Sequence, residues 1–125
     1  MNRGVKMTKE QKQSMDEIKK LKEGWFDKNR GKHINQLAIS MVERLLDKLP
    51  DDFEVFPLSD GLIQIECTRD SKYLEIEIQE NKFKVYWQLL KNGVVLSEGE
   101  DIFLCINDSV YTRISKFVDF FFNEL

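Results

Sequence analysis

Apolar and polar residues alternate through three successive segments between residues 62 and 88, and this pattern constrains the fold more than any other feature of the chain. Successive side chains of a β-strand point to opposite faces, so strict alternation predicts a strand with one buried and one exposed face. We therefore predict strands at residues 62–67, 73–78 and 82–88. Their buried face is expected to carry Ile63, Ile65, Cys67, Leu74, Ile76, Ile78, Phe83, Val85 and Trp87.

The turn signals predict how these strands pair. A two-residue turn at residues 80–81 makes the second and third strands an antiparallel hairpin. The pairing then brings together three pairs of outward side chains, namely Glu77 with Lys84, Glu75 with Tyr86, and Tyr73 with Gln88. Asn92 and Gly93 form a strong hairpin signal that predicts a fourth strand at residues 94–97. The apolar run at residues 102–106 is consistent with a fifth strand.

Three segments have helical spacing. Thr8 and Gln11 form a capping box that begins a helix over residues 9–22. Asn35 can cap a second helix that runs to residue 48, and Asn107 or Asp108 can cap a third. The third helix carries an apolar stripe that is suited to covering the sheet, formed by Val110, Ile114, Phe117, Val118, Phe121 and Leu125.

These elements predict an α+β fold. Two N-terminal helices precede an antiparallel meander of four or five strands, and a C-terminal helix packs on the sheet. A length of 125 residues fits one domain, residues 1–125, of which we expect residues 1–7 to form a disordered tail.

Composition and charge exclude several classes of function. With 42% hydrophobic and 33% charged residues, the chain has the composition of an ordinary folded protein, and its net charge of −3 provides no general attraction to nucleic acid or acidic membranes. No apolar run approaches the roughly 20 residues that span a bilayer, and the N-terminus lacks a signal-peptide core. We therefore expect a cytoplasmic protein that does not enter the membrane.

The chain lacks the usual motifs of metal and cofactor sites. His33 is the only histidine, no CxxC motif occurs, and neither a GxGxxG nor a GxxxxGK[ST] loop is present. We expect Cys67 and Cys105 to be reduced core thiols. The sequence thus predicts no metal site, no cofactor and no catalytic residue.

Three segments of the chain match a recurring pattern. The first contains Gly24, Trp25 and Asp27, the second Pro57, Asp60, Gly61, Ile63, Gln64 and Glu66, and the third Leu74, Glu75, Ile76, Glu77 and Ile78. With these residues the chain resembles a widespread prokaryotic family of small uncharacterised proteins, which have a G-W-D/N-G loop and a G-I-Q-L-E-W strand followed by L-E-I-E-I. This sequence departs from the pattern at Cys67, where the family commonly has tryptophan, and at the inserted Phe26. The resemblance implies a family without an established activity.

The outward face of the predicted sheet is the candidate site. One interpretation is an ordinary solvated face, which is normal for an antiparallel sheet, and the other is a recognition surface rich in tyrosine. Trp25 is either a hot spot in that surface or an anchor in the core or at the sheet edge. The candidate partner-binding residues are Trp25, Phe26, Gln64, Glu66, Tyr73, Glu75, Glu77, Tyr86 and Gln88.

We expect a non-catalytic protein-interaction or regulatory module, in the manner of an accessory, antitoxin-like or anti-defence partner of a larger protein. The alternative is a single-stranded nucleic-acid-binding module, in which Tyr73 and Tyr86 stack on bases while Lys72, Lys82 and Lys84 meet phosphates. A third hypothesis is a small enzyme with a glutamate-lined site. Acid–base catalysis by two carboxyl groups normally requires that their environments differ, and an open sheet face does not favour such a difference.

Overall fold

The computed structural model describes residues 7–26 and 30–125, which form three helices and five strands. The helices are α1 (Lys9–Lys19), α2 (Gln36–Leu46) and α3 (Ser109–Asn123). The strands are β1 (Glu54–Pro57), β2 (Ile63–Arg69), β3 (Lys72–Ile78), β4 (Lys82–Lys91) and β5 (Val94–Leu104). All five strands pair antiparallel in the order β1-β2-β3-β4-β5, so the predicted α+β class, meander and terminal helix are confirmed.

The predicted register of the β3–β4 hairpin is confirmed. Glu77 lies opposite Lys84, Glu75 opposite Tyr86, and Tyr73 opposite Gln88. The next hairpin turns at Asn92 and Gly93, which have positive φ angles of 53° and 79°. A two-residue type I′ turn requires positive φ at both central positions, so the Asn-Gly pair permits this connection.

The last strand was predicted wrongly in its extent. Residues 94–97 and 102–104 belong to one strand, β5, whose pairing with β4 shifts register at Leu89 and Leu90, whereas residues 105–106 lie beyond its end. The polar residues between the apolar segments broke the sequence pattern. Because β5 is an edge strand and largely exposed, its side chains do not need to alternate in polarity.

The remaining strand is β1, in a segment for which no strand was predicted. It is only four residues long and ends at Pro57. Proline is tolerated at sheet edges, and β1 pairs with β2 on one side only. The sequence did not predict this strand because four residues are too few to show an alternating pattern, and the turn signal Asp60-Gly61 follows closely.

The helices begin as predicted, but two of them end earlier. The capping box of Thr8 and Gln11 is present, and α1 ends at Lys19 instead of residue 22. The Asn35 side chain accepts from the Ala38 backbone N–H at 3.0 Å, and α2 ends at Leu46 instead of residue 48. At the start of α3 it is Asn107 whose side chain accepts a backbone hydrogen bond, from Ser109 at 2.9 Å.

The core lies between the inner face of the sheet and the helices. The inward residues of β2, β3 and the first half of β4 are buried, and α2 and α3 lie over them. Trp87 is partly buried against Phe121 of α3, with ring centroids 5.9 Å apart. Leu125, which was predicted to extend the apolar stripe, lies beyond the end of α3 and is half exposed.

The structure describes one residue of the predicted N-terminal tail. The predicted tail at residues 1–7 lies outside the described residues except for Met7, which is partly buried against the core. Within residues 7–26 and 30–125, no helix combines the length and the apolar character needed to cross a membrane.

Candidate functional site

Alternation along β2, β3 and β4 brings seven of the nine candidate residues onto one side of the sheet, away from α2 and α3. We call this side the outer face, and β1 and β5 extend it. All of its members are partly or fully exposed, which leaves them accessible to a partner. The seven predicted residues are Gln64, Glu66, Tyr73, Glu75, Glu77, Tyr86 and Gln88, and the register adds Glu54, Lys82, Lys84, Glu98 and Glu100.

Carboxylates line up across neighbouring strands of the outer face. Glu54 of β1 lies opposite Glu66 of β2, and Glu66 lies opposite Glu75 of β3. The line continues through Tyr86 to Glu100 of β5. We call Glu54, Glu66, Glu75 and Glu100 the carboxylate row. Like charges directly opposite on adjacent strands destabilise a sheet, so the pairing of Glu66 with Glu54 and with Glu75 is unfavourable for folding.

The Tyr73 hydroxyl connects two members of the row. It lies 2.7 Å from Glu75 Oε1 and 3.1 Å from Glu66 Oε2. The Gln64 side-chain amide donates to the same Glu66 oxygen at 3.1 Å. Burial, followed by the hydrogen bond to Glu75, raises the pKa of the Tyr73 hydroxyl, which therefore keeps its proton and remains a donor. Because that hydroxyl has one proton, it is shared between two carboxylates.

A second group of side chains lies toward β5. Tyr86 donates to Glu98 and accepts from the Gln88 amide at 2.7 Å. Lys84 lies opposite Glu77, as predicted, but its ammonium group forms an ion pair with Glu100 at 3.4 Å. Glu77 instead accepts from the Gln79 amide at 3.1 Å.

Lys72 does not belong to the outer face. It alternates with Tyr73, so its side chain lies on the inner side of the sheet, and its ammonium group donates to the Phe122 backbone carbonyl at 3.1 Å. Its predicted role beside phosphate on the tyrosine face is therefore wrong. Among the described residues of the outer face, the cations are Lys82 and Lys84, and the carboxylates of that face outnumber them.

Trp25 anchors the loop that precedes α2. Its indole N–H donates to the Lys32 carbonyl at 2.7 Å, and the partly buried ring packs against the core. Trp25 also lines a groove of about 300 Å³, together with residues of α1 and with Val55, Phe56 and Pro57 of β1. Trp25 therefore lies beside the β1 edge of the sheet, and its role in binding stays a prediction.

Phe26 extends from the same loop. It is 42% exposed, and its ring meets Trp25 edge to face with centroids 5.5 Å apart. Neither aromatic residue has a described contact with the two tyrosines of the outer face. Asp27, which contributes to the family resemblance, lies outside the described residues.

The residues between the first segment of the resemblance and α2 are hydrogen-bonded to the second segment. The Lys32 N–H donates to the Ser59 carbonyl, and the Asn35 N–H donates to the Gly61 carbonyl, each at 2.8 Å. Gly61 has a φ of 91°, and a β-carbon there would lie 2.7 Å from the His33 carbonyl oxygen. These residues therefore join the loop to the beginning of β2, which is a structural role.

A pocket lies beside two of the carboxylates. Glu66 lines this pocket of about 210 Å³ together with Asp52, Glu54, Cys67 and Thr68. Burial, followed by the neighbouring Asp52 carboxylate, raises the pKa of the Cys67 thiol to about 12, so this thiol is a poor nucleophile. In the part of the chain that the structure describes, no group of three or more His, Cys, Asp or Glu residues is arranged to hold a metal ion.

Sequence reasoning missed the exposed apolar residues of β5. Val94 and Leu96 are 64% and 66% exposed, and Ile102 and Leu104 are 48% and 52% exposed. The available signal was the pair of apolar runs on either side of Glu98, Glu100 and Asp101. Two short strands were predicted there, whereas the structure forms one long edge strand.

The chain was compared with models of protein families, with curated proteins and with solved structures, and none of the three comparisons found a match. The family resemblance described above therefore stays a prediction.

Proposed function

We propose that this protein is a non-catalytic protein-interaction module whose outer face binds a basic surface of a larger protein. The carboxylate row is the observation that carries this proposal. It places Glu66 between Glu54 and Glu75 on adjacent strands, although opposite charges at such positions would stabilise the sheet. Departures from the rules of stable folding are expected at functional sites, where binding compensates for them. A basic partner neutralises this repulsion when it binds.

The tyrosines give the outer face further properties of an interface. Tyr73 and Tyr86 each combine an apolar ring with a hydroxyl that is held by hydrogen bonds to carboxylates. Ordered tyrosines lose little conformational entropy on binding and are enriched in protein interfaces. A partner therefore meets side chains that are already arranged by Gln64, Gln88 and the glutamates.

The proposed role is regulatory, in the manner of an accessory, antitoxin-like or anti-defence protein that restrains or stabilises its larger partner. We propose that this interaction takes place in the cytoplasm. The free thiols of Cys67 and Cys105 support this location, because disulfides are rare where thiols are kept reduced.

The electrostatics of the outer face favour a protein partner over single-stranded nucleic acid. The hydroxyls of Tyr73 and Tyr86 lie beside carboxylates, which repel phosphate. We expect labelled single-stranded DNA and RNA to show no binding to the protein at low salt. Salt-sensitive binding of either would favour the nucleic-acid alternative.

The proposal is tested by co-purification from cells that naturally make the protein, followed by association kinetics with the recovered partner. The variant Glu66→Gln, Glu75→Gln, Glu77→Gln removes three charges from the outer face. We expect it to slow association by about tenfold at low salt and to have a smaller effect at high salt, because charge complementarity acts mainly on the on-rate.

The matched control is Asp16→Asn, Asp47→Asn, Asp119→Asn, which removes three exposed charges that lie away from the outer face. It changes the net charge equally and should alter association by less than about twofold. The proposal fails if no stoichiometric partner is retained, or if both variants slow association equally.

A further inference from the structure

The two edges of the sheet differ in how they are protected. β1 forms one edge, is four residues long, ends at Pro57 and packs against α1. β5 forms the other edge and is 11 residues long, or about 35 Å. Proteins usually shorten or cover such an edge, because its unpaired backbone groups can accept another strand. The long β5 edge is therefore the exception in this sheet.

The hydrogen-bond pattern shows which residues of β5 face the open edge. The Cys105 N–H donates to the Asn81 carbonyl at 2.9 Å, and antiparallel residues alternate between bonding to their neighbour and pointing away. By this alternation the backbone groups of Phe103 bond to β4, whereas those of its neighbours point outward. The residues with outward-pointing N–H and C=O groups are Glu98, Glu100, Ile102 and Leu104.

The side chains of the same four residues lie on the outer face, because they pair with the outward residues of β4. Glu98 and Glu100 are acidic and exposed, whereas Ile102 and Leu104 are apolar and about half exposed. The open edge thus presents two acidic positions followed by two apolar positions, at a spacing of two residues.

A second copy of this chain does not complement that pattern when the two β5 strands overlap along their full length. The fully overlapped antiparallel register of two β5 strands is centred on Gly99. It would set Glu98 of each copy opposite Glu100 of the other, and like charges in such positions are destabilising. The charges favour a segment of opposite sign.

We propose that the β5 edge takes up an extended segment of the protein partner as a sixth strand, and this inference rests on the proposed function. The segment carries basic residues at the alternate positions that face Glu98 and Glu100. It carries apolar residues at the alternate positions that face Ile102 and Leu104. Backbone hydrogen bonds supply affinity and the alternate side chains supply specificity, as in other cases of strand addition.

The test is a selection of random ten-residue peptides displayed on phage against the full-length protein, followed by affinity measurements on synthetic copies. We expect enriched peptides to alternate basic residues in one half and apolar residues in the other. Double replacement Glu98→Lys and Glu100→Lys should reverse the preference of the first half from basic to acidic, because the positions that it faces change sign.

A backbone variant separates strand addition from binding by side chains alone. Ile102→Pro removes one outward N–H without removing a hydrogen bond to β4, and proline is tolerated at such edge positions. Ile102→Thr is the control, since it retains the N–H and the β-branched shape. We expect the proline variant to lose at least tenfold more peptide affinity than the threonine variant, with cooperative thermal unfolding retained in both.

The outcomes distinguish this inference from the proposed function. If enriched basic peptides bind the proline and threonine variants equally well but lose affinity for the triple glutamine variant, strand addition is wrong and outer-face binding stands. If no peptide is enriched, or if enriched peptides lack the alternating pattern, strand addition at β5 is also wrong. If the proline variant alone fails to unfold cooperatively, the same comparison at Leu104, whose N–H also points outward, decides the inference through Leu104→Pro and its control Leu104→Thr.

Discussion

Arg69 joins three separate parts of the molecule. Its guanidinium donates to both oxygens of Asp52, at 2.7 and 2.9 Å, and lies over the Phe122 ring at 4.5 Å from the centroid. The hydrogen bond from Arg69 lowers the pKa of the Asp52 carboxyl to about 2. The Arg69 and Asp52 side chains are 33% and 44% exposed, so solvent screening limits the pair to about 1 kcal/mol or less.

Replacement of Asp52 by Asn tests this pair through its pH dependence. The folded-state pKa of about 2 lies below the ordinary value of 3.8, so the pair stabilises the protein above pH 4. We expect Asp52→Asn to lower the free energy of unfolding at pH 7 by up to about 1 kcal/mol. The difference from wild type should shrink between about pH 4 and pH 2, as measured by urea unfolding.

The control for this variant is Asp51→Asn, which removes the same charge from the neighbouring residue. We expect it to change stability by less than about 0.5 kcal/mol at any of these pH values. A loss in Asp52→Asn that persists undiminished at pH 2 would show that the ion pair is not its cause.

Gly99 permits a close approach between β5 and Trp87. A β-carbon at this position would lie 2.4 Å from an atom of the indole ring, so the ring would have to move. We expect Gly99→Ala to cost about 1–3 kcal/mol, as overpacking commonly does, measured by chemical denaturation. Ser97→Ala in the same strand is the control and should cost less than about 0.5 kcal/mol. Equal effects of both variants would argue against close packing at Gly99.

At the scale of the element, aromatic rings of α3 pack against aromatic rings of β4 and β5. Phe121 is fully buried and contacts Trp87 of β4, while Tyr111 meets Phe83 edge to face. Lys72 and Arg69 contact Phe122 in the last turn of the helix. The helix is therefore part of the core and not an appendage.

Two adjacent phenylalanines test the orientation of α3. Phe121 is 0% exposed, whereas Phe120 is 50% exposed. We expect Phe121→Ala to lower the free energy of unfolding by about 3–5 kcal/mol, because a large cavity forms in the core. The same substitution at Phe120 should cost less than about 1 kcal/mol, measured by thermal and urea unfolding. Similar losses at both positions would contradict the packing described here.

At the scale of the whole molecule, the inner face of the sheet packs into the core while the outer face sets carboxylates opposite one another. The triple variant Glu66→Gln, Glu75→Gln, Glu77→Gln removes like charges from neighbouring strands, and each amide retains an oxygen that can accept a hydrogen bond. We expect calorimetry to find it equally stable or up to about 1 kcal/mol more stable than wild type. The gain should decline with added salt.

The same control, Asp16→Asn, Asp47→Asn, Asp119→Asn, lacks the opposed carboxylates and should show no comparable gain. Because the net charge changes equally in both variants, the comparison isolates the arrangement of charges. A loss of more than about 2 kcal/mol in the glutamine variant would mean that the three carboxylates support the fold, which would argue against the proposed site.

Much of the fold and of the candidate site was accessible from the sequence. The alternation in β2, β3 and β4 predicted the buried face and placed Glu66, Tyr73 and Glu75 on one side of the sheet. Strand period and turn length together determine register, so the pairing of Glu75 with Tyr86 also followed. The side-chain partner of Lys84 did not follow, because a lysine can reach either of two neighbouring strands.

The sequence by itself thus determined the β2–β4 sheet, the helix starts and the two-faced character of the sheet, because these depend on local periodicity and capping. Only the tertiary structure decided which strands lie at the edges, that residues 94–104 form one strand, and that Lys72 lies beneath α3. Edge position depends on the order of all five strands. An edge strand is paired on one side only, and when it is largely exposed its side chains need not alternate in polarity as those of a half-buried strand do. The open β5 edge is therefore a property of the assembled sheet that no local pattern records.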